Sequence, residues 1–403
     1  MTRISKRIEG EEKTHKIPLV LLFMFAVLAL LPLDSFAAAK APFYYGGWLP
    51  FWQKLNGAAD ITDNLGKFHE LSPFSYEVGA NGKLIDKLKI TEGFWPTWLL
   101  ALRDLKIKII PTIAWFDGPA IHKLLSNKKT RIAHEDAITK LVMDRNFDGI
   151  DIDYEAKLAD TKPYFSLFIK GLAIRLHPKK KFLACTIEVR TPLASLYKTI
   201  PKDVARANDY ATLNKYCDEV RIMAYDQGLI DIKLKAQKGS DTLYAPVADP
   251  DWVEKVLKEA LQTIRPQKIV LGIPTYGYEY QVRWENGITT YQRLRSHTFV
   301  QAMERAASYG AIPVRTSAGE LAFSYATSTW VSGVSSSLTW YASSTLPAAI
   351  ASTPTAMTTR FVSFSDAESA RQKIKLARKL GIRGVVFFKF DGQQDPLLWS
   401  VMK

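Results

Sequence analysis

A chain of 403 residues has room for two or three average domains or one large domain with an insertion. Its 47% hydrophobic and 23% charged residues describe a globular protein and exclude wholesale disorder. The net charge of +14 is carried by basic residues spread along the chain, with no zinc-finger spacing, RNP-like motif or long basic block, so nucleic acid is not an expected partner; an anionic wall or membrane surface suits such a charge better.

The N-terminus opens with Arg3, Lys6, Arg7, Lys13 and Lys16, then an apolar run from Ile17 to Leu31, then Pro32 and Ser35-Phe36-Ala37-Ala38-Ala39. A charged region, a short apolar run and a small-residue site together describe a secretory signal, with cleavage expected near Ala37 or Ala39. The run falls short of the roughly 20 residues of a membrane span. Residues 1–39 are therefore expected to direct export, giving a secreted or cell-envelope protein. The alternative is an uncleaved segment, residues 17–33, that anchors the chain to the membrane. Five of the 54 Lys/Arg and four of the 40 Asp/Glu lie in residues 1–39, so the remainder keeps a charge of +13.

From Pro42 onward, β-rich runs alternate with helical patterns. Eight strands are expected at 43–48, 71–76, 107–116, 147–154, 182–189, 219–225, 269–276 and 385–390. Amphipathic stretches at 131–144, 164–176, 252–264 and 367–380 lie between them. Regular β-then-α alternation predicts a parallel sheet with helical crossovers. Eight units predict an α/β fold of the (β/α)8 TIM-barrel type, occupying residues 40–403, with its active site at the C-terminal strand ends. A doubly wound sheet is disfavoured, because no G-x-G-x-x-G turn follows the first strand. The two cysteines, Cys185 and Cys217, exclude a disulfide framework and a Cys-based zinc site, and are expected as buried free thiols rather than one bridge.

The rhythm breaks between the seventh and eighth strands. Residues 278–362 contain one helical pattern (298–309) and strand-like pieces near 321–325 and 338–341, and are expected to form a small α+β insertion within the barrel. Its second half, 326–359, is rich in Ser, Thr and Ala, a composition suited to an irregular loop.

The segment richest in chemistry is Phe147-Asp148-Gly149-Ile150-Asp151-Ile152-Asp153-Tyr154-Glu155. Alternate residues of a strand share a face, so Asp151, Asp153 and Glu155 point together into the barrel mouth while Ile150 and Ile152 face helices. Three carboxylates spaced about 7 Å apart along one strand repel when ionised, so they share a proton and at least one titrates high. Such a cluster opposes stability and serves acid catalysis or metal binding. No His or loop complement accompanies it, so no metal is expected, and no cofactor either. Asp148 lies off the parity and is expected to be buried and structural.

Asp148-x-x-Asp151-x-Asp153-x-Glu155 resembles the D-x-x-D-x-D-x-E signature of family 18 glycoside hydrolases, the chitinase and endo-N-acetylglucosaminidase family. Met223-Ala224-Tyr225-Asp226 is similar to that family's M-x-Y-D, and Leu271-Gly272-Ile273-Pro274-Thr275-Tyr276-Gly277 to its seventh-strand L-G-I-P-x-Y-G. Within the family, three further segments resemble the bacterial spore-germination type of peptidoglycan hydrolase. They are Gly47-Trp48-Leu49-Pro50-Phe51-Trp52, Ser72-Pro73-Phe74-Ser75-Tyr76, and the run from Phe361 to Ser369. The resemblance covers nearly all of 42–399. It implies a glycosidase cleaving β-1,4 bonds in N-acetylglucosamine-containing glycans, peptidoglycan or chitin.

The spacing also bears on mechanism. Ordinary retaining glycosidases hold two carboxyl groups about 5–5.5 Å apart across the sugar. Asp153 and Glu155 share one strand face, so neither can be the back-side nucleophile for the other. The substrate's own 2-acetamido group is the candidate, consistent with a retaining, substrate-assisted reaction. Glu155 is then expected as general acid and base, Asp153 as the partner of the acetamido nitrogen and Asp151 as a hydrogen-bond relay. Tyr225 would donate to the acetamido oxygen, while Met223 and Asp226 shape the pocket. Candidate sugar platforms at strand ends are Tyr44, Trp48, Tyr76, Trp115, Tyr276 and Phe388.

Two departures from chitinases stand out: Pro111-Thr112-Ile113-Ala114-Trp115 replaces S-x-G-G, and Phe388, followed by Lys389, replaces a platform Trp. A non-catalytic, glycan-binding lectin of the same fold is the alternative, though Glu155, Asp153 and Tyr225 are all present. A barrel hydrolase using distant carboxylates could employ Glu188. The polysaccharide is the one expected partner, and the protein is expected to be a monomer.

Overall fold

The computed structural model describes residues 42–53, 56–240, 242–326 and 357–403. The expected export segment (1–39), the strand-like piece at 338–341 and most of the Ser/Thr-rich stretch lie outside the described residues. Eight parallel strands form the centre: β1 (Tyr44–Pro50), β2 (Glu70–Val78), β3 (Thr112–Trp115), β4 (Gly149–Tyr154), β5 (Phe182–Glu188), β6 (Glu219–Met223), β7 (Ile269–Pro274) and β8 (Gly384–Phe388). The sheet closes because β1 pairs with both β2 (Gly46 opposite Glu70) and β8 (Tyr44 opposite Gly384). This is a (β/α)8 TIM barrel, as the alternation predicts.

Main crossover helices are α1 (Lys128–Asp144), α2 (Lys162–Leu176) and α3 (Pro250–Leu261). Each presents one apolar stripe to the strands: α2 buries Phe165, Phe168, Ile169 and Leu172, and α3 buries Trp252, Val253, Val256 and Leu257. Local sequence sets their starts. The Asn127 side chain accepts from the amides of Lys129 and Thr130 at the head of α1, and Asp249 accepts from Asp251 at the head of α3. Among the described residues no helix is long and apolar enough to cross a membrane.

A second sheet interrupts the barrel after β7. Its five strands run in the order Ile288–Thr298, Tyr276–Glu285, Met357–Phe364, Leu321–Tyr325, Val314–Arg315. Helix α4 (Phe299–Ser308) follows the first of these in space, and α5 (Ala367–Lys379) returns the chain to β8. The long hairpin Tyr276–Thr298 departs from the expected pattern, in which Tyr276 ended the seventh barrel strand and 278–297 held no strand. Asn286 and Gly287, both at positive φ (50° and 73°), form its two-residue turn. That pair is the strongest short hairpin signal a sequence carries.

The cysteines also depart from expectation. Cys185 in β5 and Cys217 just before β6 are joined in a disulfide, with Cα atoms 6.1 Å apart. Both are fully buried: Cys185 faces the helix layer, opposite in parity to the inward Thr186, and Cys217, at the end of the helix Tyr210–Tyr216, comes within bonding reach of it from 32 residues along the chain.

Candidate active site

Alternation decides what fills the barrel. Asp151 and Asp153 of β4 point inward, as do Trp48 of β1, Ser72 and Phe74 of β2, Thr112 of β3, Thr186 of β5 and Arg221 of β6. The lower tier is a charge cluster with no solvent exposure. The Arg221 guanidinium meets Glu219 Oε1 at 2.7 Å, Asp151 Oδ2 at 3.0 Å and Glu70 Oε1, and donates to Ser72 Oγ. Asp151 is further held by the Trp48 indole N–H (3.1 Å), Thr112 Oγ1 (2.8 Å) and Thr186 Oγ1 (2.7 Å). Burial pushes Glu70 well above the usual carboxylate range; Arg221 opposes this only in part and Glu219 adds to it.

One tier up, Asp153 is 3% exposed and its Oδ1 has no hydrogen-bond partner among the described residues. Burial, then the charges of Glu155 and Asp151, push its carboxyl well above the ordinary range. Glu155, at the strand's end and half-buried, is pushed up to about 7. Burial is the largest cause; Glu188 and Asp226 add to it, and Lys157 opposes it. Ala156, at φ 53°, turns the chain so that Lys157 tucks beneath the strand end. Its ammonium is buried against the Tyr154 carbonyl, Glu188 Oε2 (3.1 Å) and the Phe165 ring (4.8 Å). Glu188 also accepts from Asn208 Nδ2 at 3.0 Å, and it titrates below its ordinary value because Lys157 and Asn208 outweigh its burial.

The opposite wall is aromatic. Tyr225 lies nearly parallel to Phe388, ring centroids 5.5 Å apart, and edge-on to Tyr276 at 6.2 Å. Burial and the charges of Asp153 and Glu155 keep the Tyr225 phenol protonated, hence a donor. Its seat requires Gly272: a Cβ there would lie 2.9 Å from the Tyr225 ring and 2.8 Å from the Ile222 carbonyl oxygen. Asp226, exposed and at φ 59°, accepts from the phenols of Tyr276 and Tyr278. Met223 is 9% exposed, opposite Glu188 in register.

The expected residues thus divide. Glu155, Asp153, Asp151, Tyr225, Met223, Asp226, Tyr276 and Phe388 converge on one pocket, and four candidate platforms take other places. Tyr44 begins β1, at the end of the barrel opposite the mouth, packed on His69 and beneath the Arg383 guanidinium (4.6 Å). Trp48 is 1% exposed and serves as a hydrogen-bond donor to Asp151 rather than as a surface. Trp115 has the parity opposite to Thr112 and Ala114, so it packs against Tyr154 and His134 of α1. Tyr76 is turned outward by an extra residue: Phe74 pairs with Thr112 but Tyr76 with Ile113, so the bulge at Ser75 reverses the alternation. Its ring packs on Phe147. Asp148 is exposed rather than buried, and its carboxylate accepts from the Ile109 amide at 2.8 Å.

Sequence reasoning missed Arg221, Lys157, Gly272 and Tyr278. It also missed two exposed aromatics at strand ends: Trp52 (45% exposed, edge-on to Phe74) and Phe116 (53%). Charged residues alternating along Glu219-Val220-Arg221 in an otherwise apolar strand were an available signal for the first. Among the described residues no group of three or more His, Cys, Asp or Glu side chains is placed to hold a metal ion.

Comparison with known proteins now bears on this geometry. The model of the family described as "Glycosyl hydrolases family 18" matches residues 96–393. The uncharacterized glycosylase YvbX of Bacillus subtilis (strain 168) is 29% identical over 168 residues, 42% of this chain and 44% of that protein. The chain spans about half the length of the curated relatives it matches. Among solved structures, the spore cortex-lytic enzyme SleL of Bacillus megaterium QM B1551 superposes with a TM-score of 0.65 at 19% identity, over 89% of this chain and 73% of that one. A chitinase from Chromobacterium violaceum ATCC 12472 gives 0.64 at 20% identity, over 89% and 98%. At these identities the structural likeness speaks for the fold.

Proposed function

This chain belongs to family 18 of the glycosyl hydrolases and is a glycosidase; from that premise we propose that it hydrolyses β-1,4 bonds of N-acetylglucosamine-containing glycans by a retaining, substrate-assisted reaction in which Glu155 is general acid and base. The observation that carries this reading is the Glu155 carboxyl, pushed up to about 7, directly above an Asp153 that burial pushes well above the ordinary carboxylate range and whose buried Oδ1 has no partner among the described residues. A carboxylic acid poised near neutrality can protonate a leaving oxygen and then accept a proton from water.

In the first step the substrate's acetamido oxygen attacks the anomeric carbon. The glycosidic C–O bond breaks, and Glu155 gives its proton to the departing oxygen. The orphaned Asp153 Oδ1 suits the acetamido N–H as its acceptor, turning the acetamido oxygen towards the anomeric carbon. Tyr225, held between Gly272 and Phe388, is a phenol donor at the same wall, suited to the acetamido group. Phe388, Tyr276 and the exposed Trp52 offer faces for sugar rings. In the second step water attacks the anomeric carbon, Glu155 takes its proton, and the ring opens to the N-acetyl group with retained configuration. Asp151 is saturated by four donors, which suits a fixed anchor beneath Asp153 more than a mobile relay.

The protein acts outside the cytoplasm in this reading, with residues 1–39 as export signal or residues 17–33 as anchor. The Cys185–Cys217 bond supports it, since disulfides persist in oxidising compartments. N-terminal sequencing of the protein recovered from its host would give Ala38 or Lys40 as the first residue if the signal is cleaved, and Met1 if the anchor is kept.

The decisive experiment incubates the protein and its Glu155→Gln variant with peptidoglycan and with chitin oligosaccharides, and follows products by mass spectrometry. New reducing ends, lost in the variant, are expected. Binding without cleavage by either protein would overturn the catalytic assignment and favour a lectin.

A further inference from the structure

The basic residues that are spread along the sequence gather at one end of the fold. In a (β/α)8 barrel the turns that lead into each strand lie at the underside, opposite the mouth. Here they are residues 62–69, 103–108, 145–148, 177–181, 215–218, 262–268 and 378–383, and they hold fourteen Lys or Arg against four Asp. The loops that leave the strands at the mouth, residues 79–94, 116–117, 155–161, 189–209, 224–249 and 389–397, hold twelve Lys or Arg against thirteen Asp or Glu. Most of the net charge of +14 therefore sits on the face away from Glu155.

The turns touch, so the charges form one surface. Arg103 donates to the carbonyls of Arg145 and Asn146 (3.4 and 3.3 Å), and Lys181 to Asn146 Oδ1 (3.5 Å). The Lys108 ammonium and the Arg383 guanidinium both lie over the Phe182 ring, at 4.7 and 5.8 Å. The turns into β3, β4, β5 and β8 are joined in this way. Of the fourteen cations, only Lys379 and Arg383 meet an Asp or Glu carboxylate among the described residues. Lys106, Lys179 and Lys180 are exposed, and Leu105, 53% exposed, stands beside Lys106 as an apolar tip between cations. Like charges crowded on one face repel, a cost that an anionic surface laid against them turns into attraction.

Where the chain enters the barrel says which anionic surface fits. β1 begins at Tyr44, on the underside, so the preceding sequence joins the fold at the basic face. The apolar run 17–31 ends eleven residues before Pro42, a tether of at most about 40 Å. A bilayer offers anionic headgroups to the underside and an apolar phase to that run, whereas a polyanionic wall polymer offers only the charge. The mouth then faces away from the bilayer, towards the glycan it hydrolyses. We infer that the basic underside of the barrel docks on a membrane surface of anionic phospholipid and holds the active site outward. The choice of membrane over wall polymer rests on the anchor and glycosidase readings above; the docking face rests on neither.

Residues 43–403 form a compact unit by themselves, so the test uses the chain from Lys40, the form that cleavage after Ala39 leaves. It is sedimented with vesicles of phosphatidylcholine alone and of phosphatidylcholine mixed with phosphatidylglycerol. Binding to the anionic vesicles only, weakening as salt rises, is expected. Lys106→Gln, Lys179→Gln and Lys180→Gln combined are expected to lower the partition coefficient about a hundredfold, at about fivefold per lysine. Lys198→Gln, Lys202→Gln and Lys233→Gln combined remove the same charge from exposed positions in the mouth loops and should bind like the wild type. Equal losses in the two variants would mean that net charge rather than a face does the binding, and would overturn the inference, as would indifference to phosphatidylglycerol. Retention on a glycerol-phosphate wall polymer by a protein that ignores the vesicles would overturn the membrane assignment. Hydrolysis of soluble chitin oligosaccharides is followed alongside, and the underside variant should match the wild type, because its lysines lie at the far end from Glu155. An absence of hydrolysis in every form would count against the glycosidase reading and leave the docking result to stand or fall on the vesicles.

Discussion

The barrel interior holds two tiers of carboxylates, and they are treated oppositely. In the lower tier Asp151, Glu70 and Glu219 surround Arg221, whose guanidinium is in contact with all three. In the upper tier Asp153 and Glu155 have no cation of their own, because Lys157, the nearest, is committed to Glu188. Both tiers lie within the span of a few strand residues, the lower without solvent exposure and the upper ending at the half-buried Glu155. The lower tier shares one guanidinium and becomes a floor, although burial still pushes Glu70 up. In the upper tier burial and the neighbouring carboxylates push both groups up, Glu155 to about 7. Compensation makes structure, and its omission makes a proton donor.

The largest effect comes from breaking the floor. Arg221→Met takes the shared cation from three buried carboxylates, of which only Glu219 keeps another cationic partner, Arg383 at 3.2 Å, and is expected to cost about 3–5 kcal/mol, read as a lower denaturation midpoint in urea. The sign with pH follows: uncompensated carboxyls titrate higher when folded than when unfolded, so the variant's lost stability returns as pH is lowered and worsens as pH rises. A variant equally unstable at pH 5 and pH 8 would sink the compensation argument.

The upper tier should answer in the reverse sense. Glu155→Gln is expected to reduce turnover about a thousandfold, yet not to destabilise. Because Glu155 is raised from the ordinary value of 4.5 to about 7, the fold loses stability as pH rises from the unfolded value to about 7 and levels off above it. The amide removes this penalty, so the variant's melting point should exceed the wild type's by about 2 °C at pH 8.5 and match it at about pH 4. Asp153→Asn should show the same pattern with a smaller loss of turnover. A melting point that falls in both variants would mean that these carboxyls are structural.

Much of this contrast was legible in the sequence, and the failures have physical causes. Strand parity places Asp151, Asp153 and Glu155 on one face because β4 is regular, and the same rule puts Tyr225 and Phe388 at the mouth. It fails for Tyr76 because the Ser75 bulge sets Tyr76 opposite Ile113 instead of Ala114; Pro73, two residues earlier, was an available sign, since proline within a strand favours edges and bulges. Trp115 was recoverable, since inward Thr112 and Ala114 leave it the helix side. Tyr44 and Trp48 have inward parity, but parity says nothing of height along the barrel, and only the mouth end meets substrate. The disulfide needed knowledge that the helix Tyr210–Tyr216 ends, at Cys217, against Cys185 of β5. Arg221 lies 70 residues from its partner Asp151 and 151 from Glu70, so no local pattern pairs them.

The smallest expected effect tests whether the upper tier is tuned by its neighbours or by burial alone. Glu188 accepts from Lys157 and Asn208 and titrates below its ordinary value, so it is charged throughout the range where Glu155 gives up its proton. That charge is one reason Glu155 titrates near 7. The alkaline limb of kcat/KM reports this ionisation in the free enzyme, activity falling as pH rises through it. Glu188→Gln removes a negative charge and leaves Lys157 facing Glu155 without its partner, and both changes favour the Glu155 carboxylate. The limb should move to lower pH by about one unit. Lys157→Met should move it the other way, because the opposing cation is gone while Glu188 stays. A limb that stays near pH 7 in both variants would leave burial as the sole cause, and the ion pair beneath the acid would be only a prop for the loop at Ala156.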